Sequence, residues 1–306
     1  VQEKELVIIG GGPAGYTAGL YAARADIDAV LIERGMPGGQ AAATEWIENY
    51  PGFPGGIGGI DLALKMDEQA RSFGLTVIND NVEAVEKQGR EFIVKTSQTV
   101  FKTKTVILAT GSKPSFLGVE GEQKFHGRGV SYCATCDGAF FRDRTVAVVG
   151  GGDAAVEEAL FLTKFAAKVY IIHRRDELRA AKVIQKRAMA NEKIEFLWNS
   201  VVEKVVGEDK VEAVTLKDVR TGELKDIPVD GVFVYVGTRA NSELIKDLVE
   251  TDARGYVLAN NKMQTRVPGL YVAGDICQKP LRQVVTAVAD GAVAAMEVEK
   301  YLASWE

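Results

Sequence analysis

Two glycine-rich turns, each led by a dense apolar run and followed by a helix-forming stretch, constrain this chain more than any other feature. Leu6-Val7-Ile8-Ile9 runs into Gly10-Gly11-Gly12-Pro13-Ala14-Gly15, and Val146-Ala147-Val148-Val149 runs into Gly150-Gly151-Gly152-Asp153-Ala154-Ala155. Short continuous apolar runs are expected of parallel strands covered by helices on both faces. Behind the turns, Ala14, Ala18, Tyr21, Ala22 and Ala25, and then Ala155, Ala159, Leu162 and Phe165, fall at helical spacing. A second matching pair follows: Val106-Ile107-Leu108-Ala109-Thr110-Gly111 is echoed by Val232-Phe233-Val234-Tyr235-Val236-Gly237. Such self-similarity predicts an α/β protein of two Rossmann-like dinucleotide-binding domains.

The 306 residues are long enough for two domains, each with its own core. A third run, Leu270-Tyr271-Val272-Ala273-Gly274-Asp275, resembles the late flavin-contacting segment of flavoproteins that bind two dinucleotides. It therefore belongs with the first domain, which becomes discontinuous: residues 1–115 and 245–306, with 116–244 inserted between them. The crossings fall near Ser112-Lys113-Pro114 and Arg239-Ala240-Asn241-Ser242, polar stretches suited to act as hinges.

Each glycine turn follows a strand and opens a helix, the context in which backbone approaches a pyrophosphate at a helix N-terminus. The residue ending the next strand tests the ribose. The run Ala29-Val30-Leu31-Ile32 ends on Glu33, and a carboxylate there accepts hydrogen bonds from an unphosphorylated ribose, as in FAD or NAD. The run Lys168-Val169-Tyr170-Ile171-Ile172 ends instead on His173-Arg174-Arg175, with Arg179 beyond. Guanidinium groups grip a 2′-phosphate, often bidentately. Each charge-assisted bond is worth roughly 1.5–3 kcal/mol, so two of them favour NADPH over NADH by about one hundred-fold or more. The plain alternative for Arg174 and Arg175 is a solvated loop. The first unit thus reads as an FAD site and the second as an NADPH site.

Between the two turns lies Ser131-Tyr132-Cys133-Ala134-Thr135-Cys136-Asp137. Three cysteines make no disulfide scaffold, and a Cys-x-x-Cys pair in a chain without an export signal reads as catalytic or metal-binding. Structural zinc asks for about four Cys or His ligands, against three Cys and two His scattered here. In this motif the thiols oxidise reversibly and one of them commonly has a lowered pKa. Asp137 is placed to exchange the accompanying proton; its alternative reading is a turn residue before Gly138. Cys277 has no partner in sequence and reads as a small buried filler. The net charge of −5 gives no basic footprint for nucleic acid. No apolar run reaches membrane-spanning length, and nothing resembles a signal peptide, so a cytoplasmic protein is expected.

Cys-Ala-Thr-Cys-Asp-Gly, with Gly-Gly-Gly-x-x-Ala-Val-Glu-Glu-Ala and His-Arg-Arg-Asp downstream, resembles the low-molecular-weight thioredoxin reductases of bacteria and archaea. Gly38-Gly39-Gln40, Glu48-Asn49-Tyr50-Pro51-Gly52-Phe53, Ala109-Thr110-Gly111, Gly274-Asp275 and Arg282-Gln283 extend the match over essentially the whole chain. The resemblance implies FAD, NADPH, a homodimer and thioredoxin as partner. It makes Cys136 the sulfur facing the flavin, Cys133 the thiol exchanging with thioredoxin, and Asp137 the proton donor and acceptor. Gly39, Gln40, Asn49, Asp275, Arg282 and Gln283 correspond to flavin contacts, a set extended by Arg34, Val82 and Val284. Arg174, Arg175 and Arg179 match the 2′-phosphate contacts, with Glu157 added on the helix behind the second turn. The Gly237-Thr238-Arg239-Ala240-Asn241 turn departs from the family in lacking a proline often found there.

The implied route runs from NADPH through flavin to the Cys133–Cys136 disulfide and on by thiol–disulfide exchange. Because dithiol and NADPH fingerprint share one domain and flavin the other, the inserted domain is expected to rotate between half-reactions. Rival readings are a relative using another donor or acceptor on the same scaffold, and a non-catalytic flavin redox sensor.

Overall fold

A computed structural model describes residues 1–305. The chain forms two compact units, residues 1–113 with 239–306 and residues 114–238.

The first unit is built on a seven-stranded sheet. Gln2–Ile9 lies at its centre, parallel to Ala29–Glu33 on one side and to Val100–Leu108 on the other. Thr76–Asn79 extends one edge in parallel, and Leu270–Val272 runs parallel to the second half of Val100–Leu108. The first half of that long strand pairs instead with the antiparallel hairpin Val82–Gln88 and Glu91–Thr96. Successive side chains of Gln2–Ile9 enter different cores: Leu6 and Ile8 one, Val7 and Ile9 the other. All four are buried, so both sheet faces are covered, as a parallel sheet requires.

Helices Pro13–Arg24, Gly59–Ser72 and Val284–Ala303 belong to this unit. The first and last pack so closely that a Cβ at Gly291 would fall on the Ala14 carbonyl oxygen. Only a residue without a side chain lets the two backbones approach to that distance.

The second unit holds a five-stranded parallel sheet in the order Val130–Ser131, Gly231–Val234, Thr145–Val149, Lys168–Ile172, Ile194–Leu197. Helices Asp153–Leu162 and Lys182–Met189 bury their apolar faces among Val146, Val148, Val169, Ile171 and Phe233. A three-stranded antiparallel sheet, Ser200–Val206, Ala213–Asp218 and Leu224–Pro228, contributes Val202, Val214 and Leu216 to a separate core with Val149 and Val232.

The crossing strands Ser112–Pro114 and Thr238–Ala240 pair with each other. The return crossing lies a few residues earlier than residue 245. Asn241 explains why: its amide donates to the Thr110 carbonyl at 2.9 Å and its backbone N–H to the Gly111 carbonyl at 3.0 Å. Thr110 Oγ1 donates back to the Asn241 carbonyl at 2.7 Å, and Ala240 and Ile245 are buried in a core of the first unit.

Replacing Gly291 by valine is expected to destabilise the first unit by about 1–3 kcal/mol through overpacking. A lower urea midpoint with unchanged slope would show it.

Candidate functional site: two nucleotide turns and a dithiol

In the first unit the strand pairing sets Ile9 beside Ile32, and Gly10 N–H continues the ladder to the Ile32 carbonyl at 2.9 Å. The chain then turns sharply. Gly10 has φ +107°, and a side chain there would strike the Ala109 carbonyl oxygen. A Cβ on Gly15 would fall on the Gly10 carbonyl oxygen, which is why the helix behind the turn starts so near the strand.

Gly12 is different. Its backbone is extended (φ −83°, ψ −176°), and an added Cβ would meet nothing within 4 Å. Gly152 repeats this with φ −93°, ψ −179° and the same open surroundings. Neither protein sterics nor backbone conformation demands glycine at these two positions. Both cap a helix without a side-chain hydrogen bond, where unpaired N–H groups favour an anion. Open glycines at two such helix starts fit the close approach of a pyrophosphate.

Glu33 lies against the first turn, accepting from Gly11 N–H at 2.6 Å and Gly35 N–H at 3.0 Å. A carboxylate has about four acceptor positions, so these two bonds leave capacity for ribose hydroxyls. Arg34 follows it and is exposed. Gly39 opens the short helix Gly39–Ala42, in which the Gln40 amide donates to the Ser112 carbonyl and, at 3.3 Å, contacts the Ser112 hydroxyl. Asn49 Nδ2 donates to Gln283 Oε1 at 3.1 Å, joining two segments far apart in sequence. Gln283 caps the helix that begins at Val284, its N–H bound by Thr286 Oγ1 at 3.1 Å. Val82 is half-buried at the start of the hairpin.

The Gly274–Gln283 loop carries the clearest sign of a ligand in the first unit. Asp275 Oδ1 and Arg282 Nε are both buried without a hydrogen-bond partner. Burial raises the Asp275 carboxyl, with Lys279 and Arg282 opposing the shift. The Arg282 guanidinium lies over the Tyr256 ring at 3.6 Å and donates to the Cys277 carbonyl at 3.2 Å. An acceptor and a donor left over on one loop suit a flavin nucleotide, which carries both hydroxyls and acceptors.

Sequence reasoning missed the residues that hold this loop. Asp290 accepts from Gly274 N–H at 3.0 Å and from Lys279 Nζ at 2.6 Å. No local spacing marks either one. Cys277 is buried, and burial pushes its thiol up to about 12.

In the second unit Gly150 N–H bonds the Ile172 carbonyl at 3.1 Å, and the His173 ring stands against Gly151. Arg174, Arg175 and Arg179 are exposed around it, while Arg179 N–H donates to the Gly151 carbonyl at 2.7 Å. Asp153 Oδ1 accepts from Ala181 N–H at 2.7 Å, tying the helix start to the same loop. Ala154 and Glu157 lie exposed on that helix.

Cys133 and Cys136 are joined in a disulfide with Cα atoms 5.4 Å apart. Cys133 is half-buried and Cys136 exposed. The Cys133 sulfur accepts the Cys136 N–H at 3.2 Å and lies 3.3 Å from the Thr135 hydroxyl. Ser131 Oγ donates to Asp137 Oδ2 at 2.7 Å while accepting Cys133 N–H at 3.1 Å. The half-buried Tyr235 hydroxyl accepts Ala134 N–H at 2.9 Å; desolvation, then the Glu158 charge, raises its pKa, so it stays a neutral phenol. Ser131, Thr135 and Tyr235 were given no role by the sequence reading. Parallel pairing of Val130–Ser131 with Val232–Phe233 brings Tyr235 under the dithiol turn.

A family model for pyridine nucleotide-disulphide oxidoreductases matches residues 4–291. The thioredoxin reductase of Bacillus subtilis (strain 168) is 48% identical over 300 residues, covering 97% of this chain and 94% of that protein. The crystal structure of Lactococcus lactis thioredoxin reductase superposes with a TM-score of 0.97 at 45% identity, over 99% of this chain and 100% of that one. That of T. acidophilum thioredoxin reductase gives 0.94 at 33% identity, with the same coverage. The chain belongs to the pyridine nucleotide-disulphide oxidoreductases, in the branch of the low-molecular-weight thioredoxin reductases. It is a flavin- and nicotinamide-dependent oxidoreductase. No helix among the described residues is long and apolar enough to cross a membrane.

Because a Cβ at Gly12 or Gly152 meets nothing in the protein, valine at either should change the stability of the nucleotide-free protein by no more than about 0.5 kcal/mol. Gly12→Val is expected to purify without bound flavin; Gly152→Val should keep its yellow absorbance and lose nicotinamide nucleotide binding in titration.

Proposed function

We propose that this protein is an NADPH-dependent thioredoxin-disulfide reductase, with FAD held by the first unit and NADPH by the second. Electrons leave through the Cys133–Cys136 pair to the disulfide of a thioredoxin. The observation that carries the reading is the dithiol turn, in which one sulfur receives two donors and Ser131 ties a carboxylate to the same turn. When bound, the two nucleotides supply hydride transfer and a two-electron store.

Gly12 and Glu33 in the first unit, and Gly152 with Arg174, Arg175 and Arg179 in the second, are the residues proposed to hold the dinucleotides. Asp275, Arg282, Asn49 and Gln283 are assigned to the flavin nucleotide, with Gly10, Gly15, Ala109, Thr110 and Gly111 shaping its turn. The choice of NADPH rests on the three guanidinium groups that follow His173, the residue at the station of Glu33 in the second unit.

Once the pair is reduced, donors on the Cys133 sulfur favour its thiolate, the attacking form in exchange. Cys133 then bonds to one sulfur of the partner's disulfide and releases the other as a thiol. Cys136 attacks Cys133 Sγ, restoring the internal disulfide and freeing the reduced partner. Asp137 is assigned the proton that Cys136 must lose or regain. Chain order puts the dithiol and the NADPH turn in one unit and the flavin contacts in the other. A rotation of the inserted unit about its two crossings is therefore part of the proposal. The same reading, carried by the family, makes the protein a cytoplasmic homodimer.

Cys136→Ser is expected to leave bleaching of the flavin by NADPH intact while thioredoxin reduction falls to background in steady-state turnover. An engineered disulfide tying the two units together should stop turnover while sparing one half-reaction. Full turnover in the cross-linked, reductant-protected protein would refute the rotation.

A further inference from the structure

Each unit ends the strand beside its glycine turn on a residue packed against the middle glycine. In the first that residue is Glu33, whose Cβ and Cγ would lie 3.0 Å from a Cβ on Gly11. In the second it is His173, whose ring occupies the place of a Gly151 side chain. The two stations differ in one respect that the nucleotide assignment does not explain. Glu33 has both oxygens bonded to backbone N–H groups. His173 is 5% exposed, and its Nε2 is buried with no hydrogen-bond partner. Buried polar atoms are almost always satisfied, so this nitrogen points to a group the protein does not itself supply.

The charged groups facing the ring are Arg174, Arg175 and Arg179, together with a hydrogen bond to the Glu177 backbone. Trp198 meets it edge-on at 6.4 Å, and Gly151 presents only backbone. Asp176, the carboxylate nearest in sequence, is paired with Arg220 at 2.8 Å, and Asp153 is committed to Ala181 N–H.

We propose that His173 is a proton-linked specificity residue, neutral in the free enzyme and protonated from solvent when a nucleotide bearing a 2′-phosphate binds among Arg174, Arg175 and Arg179. This rests on the reading of the second unit as the NADPH site and adds a proton to it. Burial, followed by the Arg179, Arg174 and Arg175 charges, pushes the free imidazole below its usual range. A phosphate monoester brings about −1.5 to −2 charge at neutral pH. That charge offsets the guanidinium field suppressing the ring's proton and favours the imidazolium. A nucleotide without the 2′-phosphate brings only its pyrophosphate, a charge common to both nucleotides, and offsets less of that field.

The sign follows from linkage. Bound His173 holds its proton to higher pH than free His173. The enzyme's grip on a 2′-phosphorylated nucleotide therefore strengthens as pH falls from above the bound value to below the free one. This group gives a weaker dependence to the unphosphorylated nucleotide.

The test is calorimetric titration of the oxidised flavin-loaded enzyme with NADP⁺ and with NAD⁺ near pH 7, in two buffers of different ionisation enthalpy. With NADP⁺ wild type should take up more protons than His173→Gln, and with NAD⁺ the two should differ less, in the pH range where a histidine changes charge. His173→Gln should still bind NADP⁺, with a proton exchange that reports the phosphate alone. The phosphate's own ionisation is common to both proteins and drops out of the difference. Equal proton exchange in wild type and His173→Gln overturns the proposal while leaving the NADPH reading intact. NADP⁺ binding no tighter than NAD⁺, unchanged by Arg174→Ala with Arg175→Ala, overturns that reading and the proposal with it. A second measurement is independent of the folding of His173→Gln. The chain has two histidines, so imidazole proton resonances give two titration curves, assigned with His126→Gln. The His173 curve should move to higher pH on adding NADP⁺; a curve that stays in place counts against the proposal.

Discussion

In both units the strand entering the glycine turn is paired in parallel register with the strand after it, Ile9 beside Ile32 and Val149 beside Ile172. That pairing positions everything at the two nucleotide turns. It extends by one further bond, Gly10 to Ile32 and Gly150 to Ile172, and so delivers the next residue of each neighbouring strand against the middle glycine. A shift by a single residue would turn Glu33 and His173 to the other face of their sheets. The register is held by complete burial of Leu6, Val7, Ile8, Val30 and Leu31 in one unit and of Val146, Ala147, Val148, Val169 and Ile171 in the other. Slippage would put these side chains in the wrong core.

The same constraint builds the dithiol turn. Val130–Ser131 is a two-residue strand, too short to be stable alone, and is held by pairing with Val232 and Phe233. Through it Ser131 reaches Asp137 and Tyr235 reaches Ala134. The redox chemistry therefore sits on the edge of a buried sheet rather than on a free loop. That suits a group which must present the same sulfur geometry in every cycle.

Much of the architecture could be read in the chain before any coordinates. The two turns, their strands and helices and the late Leu270–Val272 strand all announce themselves through local patterns of apolar residues and glycine. Other elements did not. The hairpin Val82–Gln88 and Glu91–Thr96 and the three-stranded sheet from Ser200 to Pro228 carry polar residues on one side, and their apolar alternation is short. Nor does any local pattern show that Asn241, in the polar stretch near the return crossing, is bound to the first unit by three hydrogen bonds to Thr110 and Gly111.

What the sequence alone determined is chemistry carried by neighbours along the chain: a dithiol followed by a carboxylate, glycines where backbone must turn or be approached, a carboxylate at one strand end and guanidinium groups at the other. The tertiary structure decided which of these groups the protein itself satisfies and which it buries without a partner. Asp290 on Gly274, Ser131 on Asp137, Arg282 over Tyr256 and the buried His173 nitrogen all depend on burial and strand register. Those arise from contacts between residues remote in sequence, where no local periodicity reaches.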